Sequence, residues 1–344
     1  MKLSIVIVCW NDLKTISECL KSIYAQTKGI DFEVIISDNG STDGSLPHIR
    51  QNFPKARVIE NRANLGYGKG NNVGIEIAQG QYILLLNPDT IIRDHAFEKL
   101  VAFADQHPEA GGYGCRVLNP DGSFQNPARP LPTVFGLLIA ALGLRWLGRF
   151  STLFLSDVYP GWEGTTELAI GSQCGCCILV RGDLLKRLRG FDERFFWNFD
   201  ETDLCCRVWK SGFSILFCPR AEIVHLGKQS ITNFPIRYAL EDQRSLYRYF
   251  DKHHGRKSLS RIRKVALLNF GLRRIGYSAL NLIKKSEANE ERLKMYRVMM
   301  RWHWRLNPAH FIETGQEPDV GYPSPKQAAK PADNVCFAMS AKQG

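Results

Sequence analysis

The segment Gln81–Thr90, QYILLLNPDT, constrains the fold more than any other part of this sequence. Its apolar run, Tyr82–Leu86, is too short for a helix and is bounded by Gly80 and Pro88, which predicts a strand. A run that is apolar on both faces suits a strand covered by helices on each side, so the segment indicates the centre of a parallel sheet. Open α/β sheets bind ligands beyond the carboxyl ends of their strands, which makes the residues after this strand candidates for a site.

Asp89 follows this strand almost directly, and Pro88 holds it near the edge of the sheet because proline ends the strand and fixes φ. A carboxylate at that edge can bind a divalent cation that also bridges to phosphate oxygens. The alternative is a structural role, in which Asp89 forms an Asx turn or caps a helix that begins near Asp94. These residues alone leave both interpretations open.

Three further strands, Leu3–Trp10, Phe32–Ser37 and Ala56–Glu60, are predicted before this one, with helical spacing of apolar residues between them. The alternation predicts a Rossmann-like, doubly wound α/β unit. Right-handed crossovers bring the carboxyl ends of such strands to one edge of the sheet. The polar segments that meet there are Asn11, Asp38, Asn61–Gly70 and Asp89.

The glycines of this first part do not form a known nucleotide cradle. The first strand ends in CWND rather than in GxGxxG, and the sequence GxxxxGK[ST] does not occur. A hydride-transferring dehydrogenase is therefore disfavoured, and a nucleotide would need a different binding loop.

The net charge of +11 is unevenly placed, since Arg256–Lys285 contains nine Lys and Arg residues and no Asp or Glu. Such a segment favours nucleic acid or an anionic membrane as partner. No helix-turn-helix, zinc-finger or RNA-binding signature accompanies it, so we expect no nucleic-acid partner. Arg261–Lys285 places apolar residues at helical intervals beside basic ones, as in an interfacial helix. A helix docked on the rest of the protein, with a solvated basic face, is the alternative.

The ten cysteines, without a secretory leader, indicate a reducing compartment and hence a cytoplasmic protein. Cys174, Cys176 and Cys177 lie close together, but adjacent cysteines cannot easily chelate one metal ion. We therefore predict buried free thiols rather than a zinc site.

Six stretches, taken in order, resemble the inverting glycosyltransferases of family 2, which have the GT-A fold, and within them a rhamnosyltransferase-like branch. The stretches are SIVIVCWN, VIISDNGSTDGS, NRANLGYGKGNNVGI, YILLLNPD, GFDERFFWNFDETDLCCRVWKSGF and AEIVHLGKQS. They extend over roughly residues 3–231 with ordinary spacing, which makes the combination far more specific than any one of them. The resemblance implies an α/β, Rossmann-like, doubly wound mixed sheet, followed here by a C-terminal helical extension.

The resemblance also implies how a nucleotide-sugar donor is bound. Asp38 would accept a hydrogen bond from N3–H of uracil or thymine, and the backbone around the end of the first strand would contact the base and ribose. The glycine- and asparagine-rich loop would line the nucleotide pocket. The implied nucleotide-binding residues are Cys9, Asn11, Asp38, Asn64, Gly66, Lys69 and Asn87.

Asp89 stands where the DxD motif of this family ends, and Asn87 replaces the first Asp of that motif. A single carboxylate makes a weak metal site, so a second ligand is needed. His225 matches the position at which family members supply a histidine to the metal. The resemblance therefore implies Mg²⁺ or Mn²⁺ at Asp89 and His225, and Mn²⁺ accepts the imidazole better.

The run FDETDL places Asp200, Glu201 and Asp203 at the start of a predicted helix. Acidic residues are common in a first helical turn, but three carboxylates in four positions repel one another unless a cation or a catalytic role accounts for them. The resemblance implies that Glu201, by its position, would be the general base and that Asp200 would orient that base or the acceptor. The family usually has Glu-Asp where this chain has Asp200-Glu201, which leaves the choice between the two open. Trp197 and Asp203 are the predicted acceptor contacts, and core packing is the alternative for Trp197.

We divide the chain into a catalytic domain, 1–235, a basic amphipathic helical extension, 236–310, and a disordered tail, 311–344, which is rich in Pro, Gly, Ala and Lys. Residues 1–110 would be the nucleotide-binding half of the catalytic domain and 111–235 its acceptor half. Thr133–Leu155 is apolar but interrupted by glycine and arginine, so it is a poor membrane span. It is either an amphipathic flap over the acceptor site or part of the core.

The expected function is transfer of L-rhamnose from dTDP-L-rhamnose to a glycan or polyprenyl-diphosphate-linked acceptor in cell-surface polysaccharide synthesis. The basic helix would hold the enzyme on the anionic inner face of the plasma membrane. One alternative is a hexosyl- or galactofuranosyltransferase that uses a UDP-sugar. A second is a non-catalytic, sugar-nucleotide-binding scaffold at the membrane, which would have no need of Asp38, Asp89, Glu201 and His225 together.

Overall fold

The computed structural model describes residues 1–227 and 235–322 and has a mixed α/β core with a helical layer at its C-terminal end. Residues 228–230, which end the AEIVHLGKQS stretch, and the tail residues 323–344 lie outside the described part. The strands are β1 (Leu3–Cys9), β2 (Phe32–Asp38), β3 (Arg57–Glu60), β4 (Tyr82–Leu86), β5 (Thr90–Ile92), β6 (Ala110–Leu118), β7 (Ala128–Arg129), β8 (Leu168–Ala169), β9 (Ser172–Gln173), β10 (Cys177–Arg181) and β11 (Ser214–His225). The α-helices are α1 (Leu13–Gln26), α2 (Ser45–Asn52), α3 (Tyr67–Ile77), α4 (Ala96–Gln106), α5 (Val134–Leu142), α6 (Gly182–Arg187), α7 (Asp200–Lys210), α8 (Pro235–His254), α9 (Lys257–Ile283), α10 (Glu287–Arg305) and α11 (Pro308–Thr314).

The first four strands form the parallel half of the main sheet, in the order β3-β2-β1-β4. β4 is buried along its whole length, as its apolar run predicts. The alternate residues of β4 belong to different clusters, since Leu84 packs in the core on one face of the sheet and Leu85 in the core on the other. Burying each such leucine stabilises the fold by about 2 kcal/mol, so this strand ties both layers to one sheet.

The second half makes the sheet mixed. β10 runs antiparallel between β4 and β6, and β11 pairs parallel with β6 and antiparallel with β5 and β8. The predicted doubly wound mixed sheet with a C-terminal helical extension is thus confirmed. The described cysteines are free thiols, and all of them except Cys174 are buried, which confirms the prediction made for them.

The helical layer has its own apolar core, in which Trp302, Tyr247 and Phe250 are almost fully buried. Arg244 is also buried and pairs with Glu241 and Glu317 at 3.0 and 2.8 Å. The boundary expected at residue 311 lies inside α11, and the described chain continues through Glu317 to residue 322.

The structure defines two local features that the sequence left unspecified. The helix after the glycine-rich loop begins at Tyr67, because Gly66 has a φ of 80° that the helix cannot include. The apolar segment 133–155 forms α5 and then two short 3₁₀ helices, Leu144–Arg149 and Thr152–Leu155. In the described residues no helix combines the length and the apolarity needed to cross a bilayer.

Candidate active site

The carboxyl ends of β1 and β2 lie side by side, since Cys9 and Asp38 are partners in the parallel register. Beyond them the chain is held by hydrogen bonds between the two turns: the N–H of Asn11 donates to Ser41 Oγ at 3.0 Å, and Asn11 Oδ1 accepts from the N–H of Thr42 at 2.8 Å. Asn11 has a φ of 58°, a conformation that asparagine tolerates better than most residues. The first two turns therefore form one rigid rim.

Asp38 is buried at this rim and has two different carboxylate oxygens. Oδ2 accepts from the N–H groups of Gly40 and Ser41, each at 3.1 Å. Oδ1 is buried and has no hydrogen-bond partner among the described residues. Because a buried acceptor without a donor costs about 1–3 kcal/mol, an external N–H group at Oδ1 would be favourable.

The loop before α3 is fixed by asparagine side chains. Asn64 Oδ1 accepts from the N–H of Gly66 at 2.9 Å, and Asn39 Nδ2 donates to the carbonyl of Gly66 at 3.1 Å. A Cβ at position 66 would lie 3.0 Å from the ring of Phe196, so this glycine allows the loop to contact the segment before α7. Lys69 pairs with Glu193 of that segment at 3.2 Å.

A second connection joins α3 to the same segment. Asn72 Nδ2 donates to the carbonyl of Phe191 at 2.9 Å, and Asn72 Oδ1 accepts from its N–H at 2.7 Å. This paired hydrogen bond acts as a clamp between α3 and residues 191–196. The loop predicted to bind the nucleotide is therefore connected to the segment that leads to Trp197, the predicted acceptor contact.

At the end of β4, Asn87 donates its N–H to the carbonyl of Cys176 at 3.0 Å, and Asp89 is fixed by the turn after β11. The N–H of Leu226 donates to the Asp89 carbonyl at 2.9 Å, and the N–H of Gly227 donates to Asp89 Oδ2 at 3.1 Å. These bonds leave Asp89 Oδ1 directed at His225. Asp89 therefore has the fixed position that was expected, and the capping alternative is wrong because α4 begins only at Ala96.

His225 lies between Asp89 and a glutamine. Its Nε2 is 3.3 Å from Asp89 Oδ1, and its Nδ1 is 2.8 Å from Gln125 Oε1. Burial opposes protonation, but the hydrogen bond and charge of Asp89 outweigh it and raise the pKa of His225. Gln125 Oε1 can only accept, so it holds a proton on Nδ1 and fixes the ring, and Nε2 is the nitrogen that would bind a cation on the Asp89 side after releasing its own proton.

This pair fits a divalent cation only in part. Across residues 1–227 and 235–322, no three His, Cys, Asp or Glu side chains are grouped to hold a metal ion. Asp89 and His225 supply one oxygen and one nitrogen, a donor set that suits Mn²⁺ and, less well, Mg²⁺. The remaining ligands would be water and diphosphate oxygens, as is usual for ions that bind together with a nucleotide.

Asp200 and Glu201 begin α7 after a strained turn, because Asn198 and Phe199 have φ angles of 56° and 63°. Two successive non-glycine residues in this region cost free energy and commonly mark functional sites. Burial, followed by the charge of Glu201 and a hydrogen bond shared with it, raises the pKa of Asp200 well above its usual range. Asp200 Oδ2 is buried without a partner among the described residues, an environment that favours the neutral, protonated form of Asp200.

Tyr67 and Cys174 lie beside this acidic pair. Tyr67 donates its hydroxyl to the carbonyl of Gly175 at 2.5 Å, and burial followed by the charges of Asp200 and Glu201 raises its pKa. A hydrogen bond with Cys176 lowers the pKa of the Cys174 thiol to about 7, against the charge of Glu201. The charge of His225 acts on the same thiol, so Cys174 lies within electrostatic range of both Glu201 and His225.

Asp203 has a different environment from its two neighbours. Its carboxylate has no exposed surface and lies 2.6 Å from Lys252 Nζ, 2.7 Å from His253 Nε2 and 2.8 Å from Arg207 Nε. Burial would raise its pKa, but these hydrogen bonds and charges hold the pKa below its usual value. The geometry thus favours a structural role for Asp203 over the acceptor contact predicted for it.

Trp197 is half-buried, and its ring lies 4.7 Å from that of Tyr238 in α8. Its carbonyl accepts from Ser245 Oγ at 2.8 Å, and the next residue, Asn198, donates from Nδ2 to Asp242 Oδ1 at 2.9 Å. We call residues 191–199, which carry the predicted acceptor contact Trp197, the acceptor segment. It is held by α8, which belongs to the C-terminal extension.

The structure brings most of the predicted residues to one edge of the sheet and adds others that the sequence did not single out. Asp12 is one of them, because burial, followed by the charges of Asp89, Asp43 and Asp38, raises its pKa to about 6. Gln125 is another, and no motif surrounds it. Only the excess of acidic residues near the strand ends gave a signal for Asp12 in the sequence.

Comparison with known proteins agrees with this geometry. The Glycosyl transferase family 2 profile matches residues 4–187. The N-acetylglucosaminyl-diphospho-decaprenol L-rhamnosyltransferase of Mycobacterium tuberculosis is 30% identical over 236 residues, which cover 64% of this chain and 76% of that protein. The low-salt glycan biosynthesis hexosyltransferase Agl10 of Haloferax volcanii is 25% identical over 242 residues, 69% of this chain and 71% of its own.

A solved structure shows the same fold. It is the mannosyltransferase PcManGT of Pyrobaculum calidifontis in complex with GDP-Man and Mn²⁺, with a TM-score of 0.54 and 16% identity over 92% of this chain and 88% of that one. At this identity the likeness concerns the fold alone. Together with the profile match, these findings show that the chain is a glycosyltransferase and belongs to glycosyl transferase family 2.

Proposed function

We propose that this enzyme transfers L-rhamnose from dTDP-L-rhamnose, with inversion, to a polyprenyl-diphosphate-linked or other glycan acceptor in cell-surface polysaccharide synthesis. The observation that carries the proposal is that three groups lie at the same edge of the sheet. They are Asp38 at the end of β2, the Asp89–His225 pair after β4 and at the end of β11, and the Asp200–Glu201 pair at the start of α7. The similarity to a rhamnosyltransferase supports this donor.

The donor nucleotide would be held at the ends of β1 and β2. The free Oδ1 of Asp38 suits an imide N–H, which uracil and thymine both possess. Cys9 and Asn11 would contact the base and ribose through the first turn. Asn64, Gly66 and Lys69 would line the other wall, and Asn87 would lie near the diphosphate.

Asp89 and His225 would hold Mg²⁺ or Mn²⁺, which when bound neutralises charge on the departing diphosphate. Asp89 is positioned for this by two backbone N–H groups and His225 by Gln125, so little reorganisation is needed. A preorganised pair costs less to occupy than two mobile side chains.

Glu201 would act as the general base and take the proton of the acceptor hydroxyl. The acceptor oxygen then forms a bond to the anomeric carbon as the bond from that carbon to the diphosphate oxygen breaks on the opposite face. The electron pair of the broken bond leaves with the diphosphate, and the configuration is inverted. Asp200 keeps its own proton and positions the Glu201 carboxylate, and Trp197 contacts the acceptor.

The acceptor would be presented at a bilayer. α9 carries most of the excess positive charge, and a relative that acts on a decaprenol-linked substrate by name supports a lipid-linked acceptor. We therefore place the enzyme on the anionic cytoplasmic face of the plasma membrane, held there by the basic side chains of α9.

The test is donor binding and slow donor hydrolysis with dTDP-rhamnose, UDP-glucose, UDP-galactose and UDP-galactofuranose, each with and without Mn²⁺. We expect a manganese-dependent preference for dTDP-rhamnose. Selective use of a UDP-sugar would still support a glycosyltransferase, but it would identify a hexosyl- or galactofuranosyltransferase instead of a rhamnosyltransferase. Binding of a donor without any hydrolysis, with or without Mn²⁺, would favour the non-catalytic, sugar-nucleotide-binding scaffold.

A further inference from the structure

Most of the large apolar side chains that the described chain exposes lie on two of its segments. The first is segment 134–155, which comprises α5 and the two 3₁₀ helices. The second is the last part of α9, residues 268–283. We call the two together the apolar face; its exposed members are Phe135, Leu142, Trp146, Phe150, Leu153, Leu268, Leu272, Ile275, Leu280, Leu282 and Ile283.

These exposures do not come from a poorly packed segment. Val134 and Leu137 pack into the core of the helical layer, and α5 packs against α9. A Cβ at Gly148 would lie 2.5 Å from Leu155, so the two 3₁₀ helices are in close contact. The inner side of segment 134–155 is therefore buried against the helical layer. Its outer side carries the exposed apolar side chains named above.

The most exposed apolar side chains lie in the C-terminal parts of the two segments. Trp146, Phe150 and Leu153 are 58%, 72% and 56% exposed, and Leu282 and Ile283 are 89% and 87% exposed. Several large apolar side chains exposed together on packed elements of a folded protein usually mark a protein or membrane contact.

The charges on the apolar face select between these two partners. Segment 134–155 contains Arg145 and Arg149 and no acidic residue, but Arg145 pairs with Asp157 just beyond it, so Arg149 is the positive charge that this segment adds. The second segment belongs to the acid-free, basic stretch of α9. The Arg149 guanidinium lies 5.1 Å from the Trp146 ring centre and 4.7 Å from that of Phe150. Two copies of this face would bring like charges together, whereas an anionic bilayer offers both apolar depth and opposite charge.

We propose that segment 134–155 is a second membrane-contact element, which inserts Trp146, Phe150 and Leu153 into the headgroup region of an anionic bilayer beside α9. This inference rests on the bilayer contact of the proposed function and adds the part of the chain that enters the apolar layer. α9 attracts the surface by charge, and segment 134–155 supplies the salt-resistant, apolar part of the binding.

The arrangement also orients the enzyme. α5 packs against α9, and α8, which holds the acceptor segment, packs against α9 as well. Binding through both segments fixes the rotation of the protein on the surface, which a single basic helix would leave free. A lipid-linked acceptor would then meet the acceptor segment in a defined direction.

The test is sedimentation of the full chain with phosphatidylcholine vesicles, with and without phosphatidylglycerol, at low and high salt. We expect the Trp146→Ser/Phe150→Ser/Leu153→Ser variant to retain weak, salt-sensitive binding and to lose about 10- to 100-fold in affinity. The Arg273→Gln/Arg274→Gln/Lys284→Gln/Lys285→Gln variant should lose the preference for phosphatidylglycerol. The control, Trp304→Ser, removes an exposed tryptophan of α10 that lies outside the apolar face.

The outcomes separate this inference from the proposed function. Unchanged vesicle binding by the triple serine variant, with loss in the α9 variant, would overturn the role of segment 134–155 and leave the bilayer contact intact. Absence of vesicle binding by the unmodified chain would overturn both. A dimer in solution that the triple variant abolishes, with vesicle binding unchanged, would assign the face to a second copy. Equal donor hydrolysis in all variants confirms that they are folded.

Discussion

Helix α7 carries two acidic environments that lie within one turn of each other and differ in almost every respect. Asp203 is surrounded by Lys252, His253 and Arg207, and its pKa lies below the usual value. Asp200 is equally buried, yet its nearest charge is the carboxylate of Glu201, and its pKa lies well above the usual range. Asp203 thus has basic side chains as partners, whereas the main charge acting on Asp200 is that of the neighbouring Glu201.

The difference separates structure from chemistry. A buried carboxylate with three cationic partners is stable but has little freedom to exchange protons with a substrate. A carboxylate pair that must share one proton is costly to fold and is suited to proton transfer. The predictions below test this contrast, from the largest expected effect to the smallest.

Glu201→Gln should lower transfer by about 10²- to 10⁴-fold, because the acceptor hydroxyl loses its base. Donor affinity should change little, since the donor is held at the ends of β1, β2 and β4. Steady-state transfer and calorimetric donor binding measure the two effects. Exposed Glu163→Gln is the control, and a variant of Glu201 with ordinary activity would remove it as the base.

Asp203→Asn should destabilise the protein by about 3–5 kcal/mol, because Arg207 and His253 lose their carboxylate partner and Lys252 keeps only Asp192. Urea unfolding measures the loss. If the variant unfolds like the unmodified protein but fails to use the acceptor, Asp203 is the acceptor contact that the sequence predicted, and the contrast along α7 fails.

Gln125→Ala should weaken Mn²⁺ binding by about 10- to 100-fold, because His225 loses the acceptor that fixes its tautomer and orientation. Electron paramagnetic resonance of free Mn²⁺ gives the affinity without reference to activity. Gln125→Glu keeps an acceptor at Nδ1 and should bind more tightly than the alanine variant. Equal affinities of all three proteins would show that Gln125 does not position His225.

Asp200→Asn should stabilise the protein at neutral pH by about 1 kcal/mol, because the amide removes a buried acid that is costly to ionise. Because the pKa of Asp200 is raised by folding, the folded protein keeps this proton at pH values above about 3.9, where the unfolded chain has already released it. The stability that the proton provides is therefore complete below that pH and is lost as the pH rises through the folded pKa. The difference between the two proteins should grow over this range, and a difference independent of pH would contradict the assignment.

The contrast along α7 could not be predicted from the sequence. Asp200, Glu201 and Asp203 form one acidic cluster in the chain. Of the side chains that distinguish Asp203, Arg207 lies one turn further along α7, but Lys252 and His253 come from α8, about 50 residues away in the sequence. β4 was predictable to the residue, because an apolar run between a glycine and a proline has few alternatives. Gln125 lies in a loop without a motif, so only the folded chain brings it to His225.

The clamp between Asn72 and Phe191, with the contact of Gly66 and Phe196, has a consequence for the order of events. A shift of the loop before α3 when a nucleotide arrives cannot occur without moving the segment that leads into α7. By reciprocity, an acceptor seated on that segment must change the affinity for the donor by the same factor that the donor changes the affinity for the acceptor. Calorimetric titration of each substrate in the presence of the other should therefore give dissociation constants that change by one and the same factor.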